Sequence, residues 1–157
     1  MAYGLTLEGG VTYTVESARK EAFEGVKYKI PVSSFKEHLR DRNFAENKAA
    51  LAAGGKDLGD RFVVRFSDRG YGVVYKKDRY KEYYYDKDGN LEEFGIRTNL
   101  SLPAKAYRYT SKGEFEGVGF YVSKQEAYIY DKTGKCTAMW QGNRCYDEKG
   151  DLILEQF

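Results

Sequence analysis

The stretch Tyr83-Tyr84-Tyr85-Asp86-Lys87-Asp88-Gly89-Asn90-Leu91 decides the fold of this chain. It is the clearest copy of a unit that also occurs as Phe66-Ser67-Asp68-Arg69-Gly70, Tyr109-Thr110-Ser111-Lys112-Gly113, Tyr130-Asp131-Lys132-Thr133-Gly134 and Tyr146-Asp147-Glu148-Lys149-Gly150. Each copy sets an aromatic four residues before a glycine, and Asp, Ser or Thr follows the aromatic. A three-residue hairpin loop built on a type I turn needs its last residue in the left-handed region, where glycine meets no steric penalty. Asp, Ser or Thr at the first turn position accepts hydrogen bonds from the backbone ahead of it. The unit therefore predicts a β-hairpin, with Tyr85 opposite Leu91, Tyr109 opposite Phe115 and Tyr130 opposite Cys136. Side chains alternate faces along a strand, so Tyr83 and Tyr85 share a face with Leu91.

Working outward, residues from Arg61 to the end read as strand after strand: 61–67, 71–76, 80–86, 91–97, 105–110, 114–122, 126–131, 136–140, 144–147 and 151–155. Ten strands in a row are expected to coil or fold over rather than stay flat. Towards the N-terminus, residues 3–8 and 11–16 alternate around Gly9-Gly10, which fits a tight hairpin. Residues 17–24 read as a short helix ended by Gly25, and 26–32 as a strand. Ser34 and Glu37 make a capping box ahead of the apolar stripe Phe35, Leu39, Ala45, Ala49 and Ala52, and Gly54-Gly55 stop it. The expectation is an α+β, mostly β fold. It is an antiparallel meander of about eight to twelve strands with one main helix, about 34–53, packed on one face. One domain over 1–157 is expected, with a hairpin and helix region at 1–60 and a hairpin-repeat region at 61–157.

Tyr-Asp-x-x-Gly followed by a hydrophobe resembles the unit of YD (RHS-type) repeats and of the second MORN repeat class. Gly113-Glu114-Phe115-Glu116-Gly117-Val118-Gly119-Phe120 is similar to the glycine-spaced core of MORN repeats. The resemblance spans roughly residues 61–157 and implies a structural or interaction surface, with no catalytic residue carried over.

Composition narrows the function further. Among 157 residues, 26 Lys and Arg face 24 Asp and Glu, and this near balance argues against a dedicated polyanion binder. The 15 Tyr and 17 Gly against 2 Pro suit hairpins better than disorder. No apolar run approaches the ~20 residues that span a bilayer. The opening residues carry neither a basic nor a long apolar leader segment. The compartment stays open: cytoplasmic by default, secreted if a leader was removed. Cys136 and Cys145 are too few for a disulfide framework. A two-residue turn at Gly142-Asn143 sets Cys145 opposite Trp140 and leaves two free thiols, whereas a longer loop would pair the cysteines.

No nucleophile elbow, P-loop or dinucleotide fingerprint is present, and no cofactor or metal is assigned. His38, the only histidine, reads as a solvated helix residue. Asp86-Lys87-Asp88-Gly89-Asn90 opens with calcium-loop spacing, but Arg97 stands where the bidentate Glu belongs, and turn chemistry already explains the stretch. The triple tyrosine matters more. Tyr84 must face away from Tyr83 and Tyr85, so either the second face is covered too or it displays tyrosine to a partner. The leading expectation is a non-enzymatic module that presents an aromatic sheet face to a protein or glycan, self-association included. Its candidate residues are Tyr83, Tyr84, Tyr85, Tyr107, Tyr109, Tyr128, Tyr130 and Trp140. One alternative is single-stranded nucleic-acid binding through Lys76, Lys77, Arg79 and Lys81, interleaved with tyrosines. Another is an enzyme using carboxylates such as Glu114 and Glu116 or Asp86 and Asp88.

Overall fold

The computed structural model of the protein describes residues 4–6 and 12–14 by their backbone, and residues 20, 22–24 and 26–157 in full. A short hairpin pairs β1 (Gly4–Thr6) with β2 (Thr12–Thr14), Leu5 opposite Tyr13. The expected Gly9-Gly10 turn lies outside the described residues. The rest is one ten-stranded antiparallel sheet whose neighbours follow chain order throughout. Its strands are β3 (Arg61–Arg65), β4 (Tyr71–Tyr75), β5 (Lys81–Tyr85), β6 (Leu91–Arg97) and β7 (Ala104–Thr110). They continue as β8 (Phe115–Ser123), β9 (Glu126–Asp131), β10 (Cys136–Gln141), β11 (Arg144–Asp147) and β12 (Leu152–Glu155).

The repeated unit forms the turns at one end of this sheet, and the expected register holds: Tyr85 faces Leu91, Tyr109 faces Phe115 and Cys136 faces Tyr130. Gly89, Gly113, Gly134 and Gly150 sit at φ of 83°, 80°, 84° and 85°. In each of those turns the first residue anchors the loop with its side chain. Asp86 Oδ1 accepts from the backbone of Asp88 and Asn90, Asp131 Oδ1 from Thr133 and Lys135, and Asp147 Oδ1 from Lys149 and Asp151. Thr110 Oγ1 serves Lys112 and Glu114 in the same way. The β3–β4 turn runs one residue out of frame. Arg69, not Gly70, is left-handed at φ 72°, and Phe66 takes the place of the aspartate. Gly70 is needed for closeness instead, because a Cβ there would lie 2.9 Å from the Tyr85 carbonyl.

The sheet curls until its ends meet. Phe66, just past β3, bridges Gln156, just past β12, and the Phe157 N–H donates to the Arg65 carbonyl. The ring centroids of Phe66 and Trp140 lie 6.1 Å apart although many strands separate them in the sheet. Their side of the sheet is therefore the concave one. The convex side carries Tyr71, Val73, Tyr83, Tyr85, Phe94, Tyr109, Phe115 and Val118, all buried.

What buries them is the segment before β3. Phe35, fully buried, stacks on Phe94 at 4.8 Å, and Phe23 and Tyr28 meet the Phe115 ring edge-on. The expected helix at about 34–53 is present as α1 (Phe44–Ala52), preceded by 3-10 turns at Val32–Ser34 and Lys36–His38. The backbone between these turns and α1 is occupied elsewhere. Leu39 accepts from the Leu91 N–H, and Asp41 donates to the Gly89 carbonyl, which docks the chain on the β5–β6 turn. Ser34 caps nothing downstream, its hydroxyl donating back to the Pro31 carbonyl. Residues 26–32, expected as a strand, make a single bridge between Lys29 and Glu114, held by Ile30 N–H to the Gly113 carbonyl at 2.9 Å. Of the short helix expected at 17–24, residues 20, 22 and 23 are helical, and Ala22 is buried. A buried polar chain joins the cover to the sheet. Asn47 of α1 donates to Asp41 at 2.8 Å and accepts from Arg61 at 2.8 Å, while the Tyr71 hydroxyl donates to Asp41. Among the described residues no helix is long and apolar enough to cross a membrane.

Candidate functional site

The concave face is made largely of small residues. Alternation puts Gly72, Gly95, Gly117, Gly119, Ala106, Ala127 and Ala138 on the side opposite the core tyrosines. At Gly117 a Cβ would stand 1.9 Å from the Tyr130 carbonyl oxygen, which no side chain can do, and at Gly95 it would stand 3.0 Å from Glu82 Oε1, which would have to give way. The result is a hollow of about 600 Å³ inside the curl, lined by residues from most strands.

Its wall combines aromatic side chains with the aliphatic Ile129, Ile153 and Leu154 and with charged groups, and Glu82 and Arg97 adjoin that wall through Tyr121. The Tyr121 hydroxyl donates to Glu82 Oε1 at 3.0 Å, and Tyr84 hydrogen-bonds to Tyr121. Arg97 places a guanidinium nitrogen 3.9 Å from Glu82 and its carbon 5.3 Å over the Tyr121 ring. Arg108 pairs with Glu93, and Glu116 hydrogen-bonds to that same Glu93. Phe66 and Tyr84, 6.2 Å apart, continue the aromatic wall that Trp140 begins. Tyr84 and Tyr121 keep accessible surface although their hydroxyls lie deep among other side chains, because that surface belongs to the hollow.

Burial first, then the Glu82 charge, pushes the phenols of Tyr84 and Tyr121 well above the usual range. Burial likewise raises Glu82, against the pull of Arg97. Glu116 rises to about 7, from burial, from the hydrogen bond to Glu93 and from the Glu93 charge. Glu92 is raised by burial and by the charges of Asp86, Asp68 and Glu93. Arg108 is pushed up despite its burial, because Glu93 outweighs that cost.

The residues expected to form a displayed aromatic face divide between the two sides. Tyr83, Tyr85, Tyr109, Tyr128 and Tyr130 are buried, and Tyr107 packs half-buried against the same core. This corrects the expectation of display for these six: the segment before β3 and the packing of neighbouring strands take their surface. Tyr84 and Trp140 line the hollow. His38 is not a solvated helix residue either. Its ring stacks on Tyr83 at 4.0 Å and lies against Tyr75, and burial, with Arg42 next, lowers its pKa.

The basic segment is divided among local partners. Lys76 binds Asp57 at 2.7 Å, Lys81 binds Asp78 at 3.4 Å, and Lys76 and Arg79 both lie over the Phe62 ring. Lys77 is exposed, Tyr83 and Tyr85 are buried in the core, and the exposed rings beside these cations are Phe62, already covered by Lys76 and Arg79, and Tyr80. Asp86 spends its Oδ1 on two backbone N–H groups of its turn, Asp88 is exposed at the turn tip, and Glu114 is exposed beside Lys29. Of the proposed carboxylates only Glu116 reaches a residue of the hollow's wall, by its hydrogen bond to Glu93, and it lines a separate recess together with Arg108 and Glu114.

Cys145 faces Trp140 across a two-residue turn and no disulfide joins it to Cys136, and burial raises Cys145 to about 11. Sequence reasoning did not single out Glu82, Glu93, Arg97, Arg108 and Tyr121. Their signal was parity: each stands on the face that carries Tyr84 and the glycines. No family model, no curated protein and no solved structure matches this chain.

Proposed function

We propose that this protein is a non-enzymatic binding module that takes a small ligand into the hollow of its curled sheet. The observation that carries this reading is the hollow itself, about 600 Å³ with Tyr84, Tyr121, Phe66 and Trp140 in its wall and Arg108, Glu93 and Gln125 among its polar groups. Ligand sites are concave and largely apolar, with a small number of placed polar groups. Tyrosine and tryptophan offer an apolar ring and a polar tip to the same ligand. The exposed faces offer less, because the tyrosines of the convex side are spent on the core.

Trp140 is the sole tryptophan and lines the hollow, so its emission reports occupancy. The test titrates soluble saccharides, amines and carboxylates against the protein and against Ala138→Leu, which puts a larger side chain into the hollow. Saturable changes in the parent that are lost in the variant are the expected result. If no compound acts, or if the variant binds as well as the parent, the reading fails.

A second reading, contact with another protein, is favoured by the exposed apolar side chains of Leu152, Ile153 and Phe157 on and beside β12. Neighbouring exposed apolar side chains mark contact surfaces. Sedimentation of the parent beside Ile153→Lys tests it, since a contact of this kind shows as a concentration-dependent species that the variant lacks.

A further inference from the structure

Given the hollow as a binding site, the geometry points to an organic ammonium ion as its ligand, held by aromatic rings and by an uncompensated carboxylate cluster. The inference rests on the reading above and adds the sign of the ligand's charge. Four rings from four parts of the fold, Phe66, Tyr84, Tyr121 and Trp140, face one space. Aromatic faces carry negative quadrupole potential and attract ammonium groups, most strongly where water is excluded. The wall already shows the interaction, with Arg97 seated over the Tyr121 ring.

The charges decide between a cation and its alternatives. Arg97 is answered by Glu82 and Arg108 by Glu93, so neither guanidinium is left for an anionic ligand. Beyond these pairs stand Glu92 and Asp68, which line the hollow, and Glu116, which leans on Glu93. Lys124 is the other cation among the lining side chains. Crowding of this kind raises carboxyl pKa values, as Glu92 at the wall shows, and a bound cation relieves it. A neutral ligand would gain the rings but leave the carboxylates unanswered. An anionic one would meet repulsion at the same wall.

The probe is choline, read by Trp140 emission. It is compared with its uncharged isostere, in which carbon replaces the quaternary nitrogen, and with the tert-butylacetate anion. Choline is expected to bind at least about tenfold more tightly than the isostere, which corresponds to about 1.4 kcal/mol. The anion is expected to be silent. Glu92→Gln changes a carboxyl that lines the hollow and leaves the core untouched, and it is expected to weaken choline about threefold or more. Choline binding should also tighten as pH rises and Glu92, whose carboxyl burial and the charges of Asp86, Asp68 and Glu93 hold above its ordinary value, ionises at the wall, and Glu92→Gln should flatten that rise. Equal or tighter binding of the isostere or of the anion overturns the inference, as does silence from choline. The reading of the hollow fails separately. If the isostere binds the parent but not Ala138→Leu, the site stands and only its preference for cations is refuted.

Discussion

Replacing Gly113 and Gly150 by alanine, one at a time, measures how firmly the segment before β3 is attached to the sheet. Both residues occupy the same left-handed turn position, at φ 80° and 85°. A non-glycine residue there costs about 1–2 kcal/mol, offset by about 0.5–1 kcal/mol because alanine loses less freedom on folding. Gly150 has no atom within 4 Å of a built Cβ, so Gly150→Ala carries that strain alone, about 1 kcal/mol. At Gly113 the Cβ would lie 2.2 Å from the Ile30 carbonyl oxygen. The two backbones must separate, which breaks Ile30 N–H to Gly113 O and Phe115 N–H to Tyr28 O, both 2.9 Å. At about 1 kcal/mol for each bond, with loosened packing of buried Ile30 added, Gly113→Ala should cost about 3–4 kcal/mol. For a chain of this size each kcal/mol moves Tm by about 2–4 °C, so the two variants should separate clearly in urea or thermal unfolding. Trypsin adds a local readout. Cleavage at Lys27 and Lys29 should accelerate in Gly113→Ala and stay unchanged in Gly150→Ala. Equal stability losses and equal cleavage would refute the docking of residues 28–30 on the β7–β8 turn.

Four further outcomes follow from particular contacts. Arg69→Gly should stabilise the fold by about 0.5–1 kcal/mol in urea unfolding, because it relieves the one left-handed residue that is not glycine among those described; a loss would show that the Arg69 side chain holds the turn. Asn47→Leu should cost about 3 kcal/mol, since Asp41 and Arg61 would stay buried without their shared amide; a neutral result in the same assay would contradict that network. His38 is the only histidine, so its proton resonance is unambiguous and should titrate below its usual 6.5. A lowered folded pKa means stability from this residue is present above the unfolded value and lost as pH falls through it. A resonance titrating at or above the ordinary value would remove that claim. Asp131 is held below its ordinary value by the Thr133 hydroxyl and then, against slight burial, by the Lys135 and Thr133 N–H groups. Its contribution is present above the unfolded pKa and fades as pH falls through the folded one, so Asp131→Asn should shallow the acid side of the stability–pH curve and leave neutral pH little changed. An acid limb identical to the parent's would count against it.

The parts of this fold that the sequence made legible are those whose backbone demands are local. A left-handed residue, a side chain that accepts from the loop ahead and a period of two are all written within a few positions, and the register at Tyr85, Tyr109 and Tyr130 follows from them. The slip at Phe66 shows the limit. Gly70 looked like a turn glycine, but its requirement comes from the Tyr85 carbonyl, fifteen positions along the chain. The helix expected at about 34–53 forms over Phe44–Ala52, and its first part gives way to 3-10 turns for a similar reason. Phe35 and Leu39 have helical spacing because both pack on the core, yet Leu39 and Asp41 give their backbone groups to Leu91 and Gly89. No local pattern announces such a partner.

The hollow lies between these cases, and one asymmetry explains both it and the buried tyrosines. Along β5 to β9 one parity carries Tyr83, Tyr85, Phe94, Tyr109, Val118 and Tyr128, while the other carries Gly95, Ala106, Gly119 and Ala127. Side chains crowd on the inside of a bend and spread on the outside. A sheet loaded this way relaxes by curving towards its small residues, and the twist common to all sheets turns that curve into a coil. Curvature then spreads the aromatic face into a convex surface too apolar to leave wet, which the segment before β3 covers. It also closes the small-residue face around a space that these side chains do not fill. Tyr84, Tyr121, Glu82, Glu93, Arg97 and Arg108 break the small-residue rule on that face, and each one costs packing and desolvation that an alanine would not. Tyr84, Tyr121, Glu93 and Arg108 line the hollow of the curl, so the exceptions to the pattern, rather than the repeated unit that builds the sheet, are where recognition is to be sought.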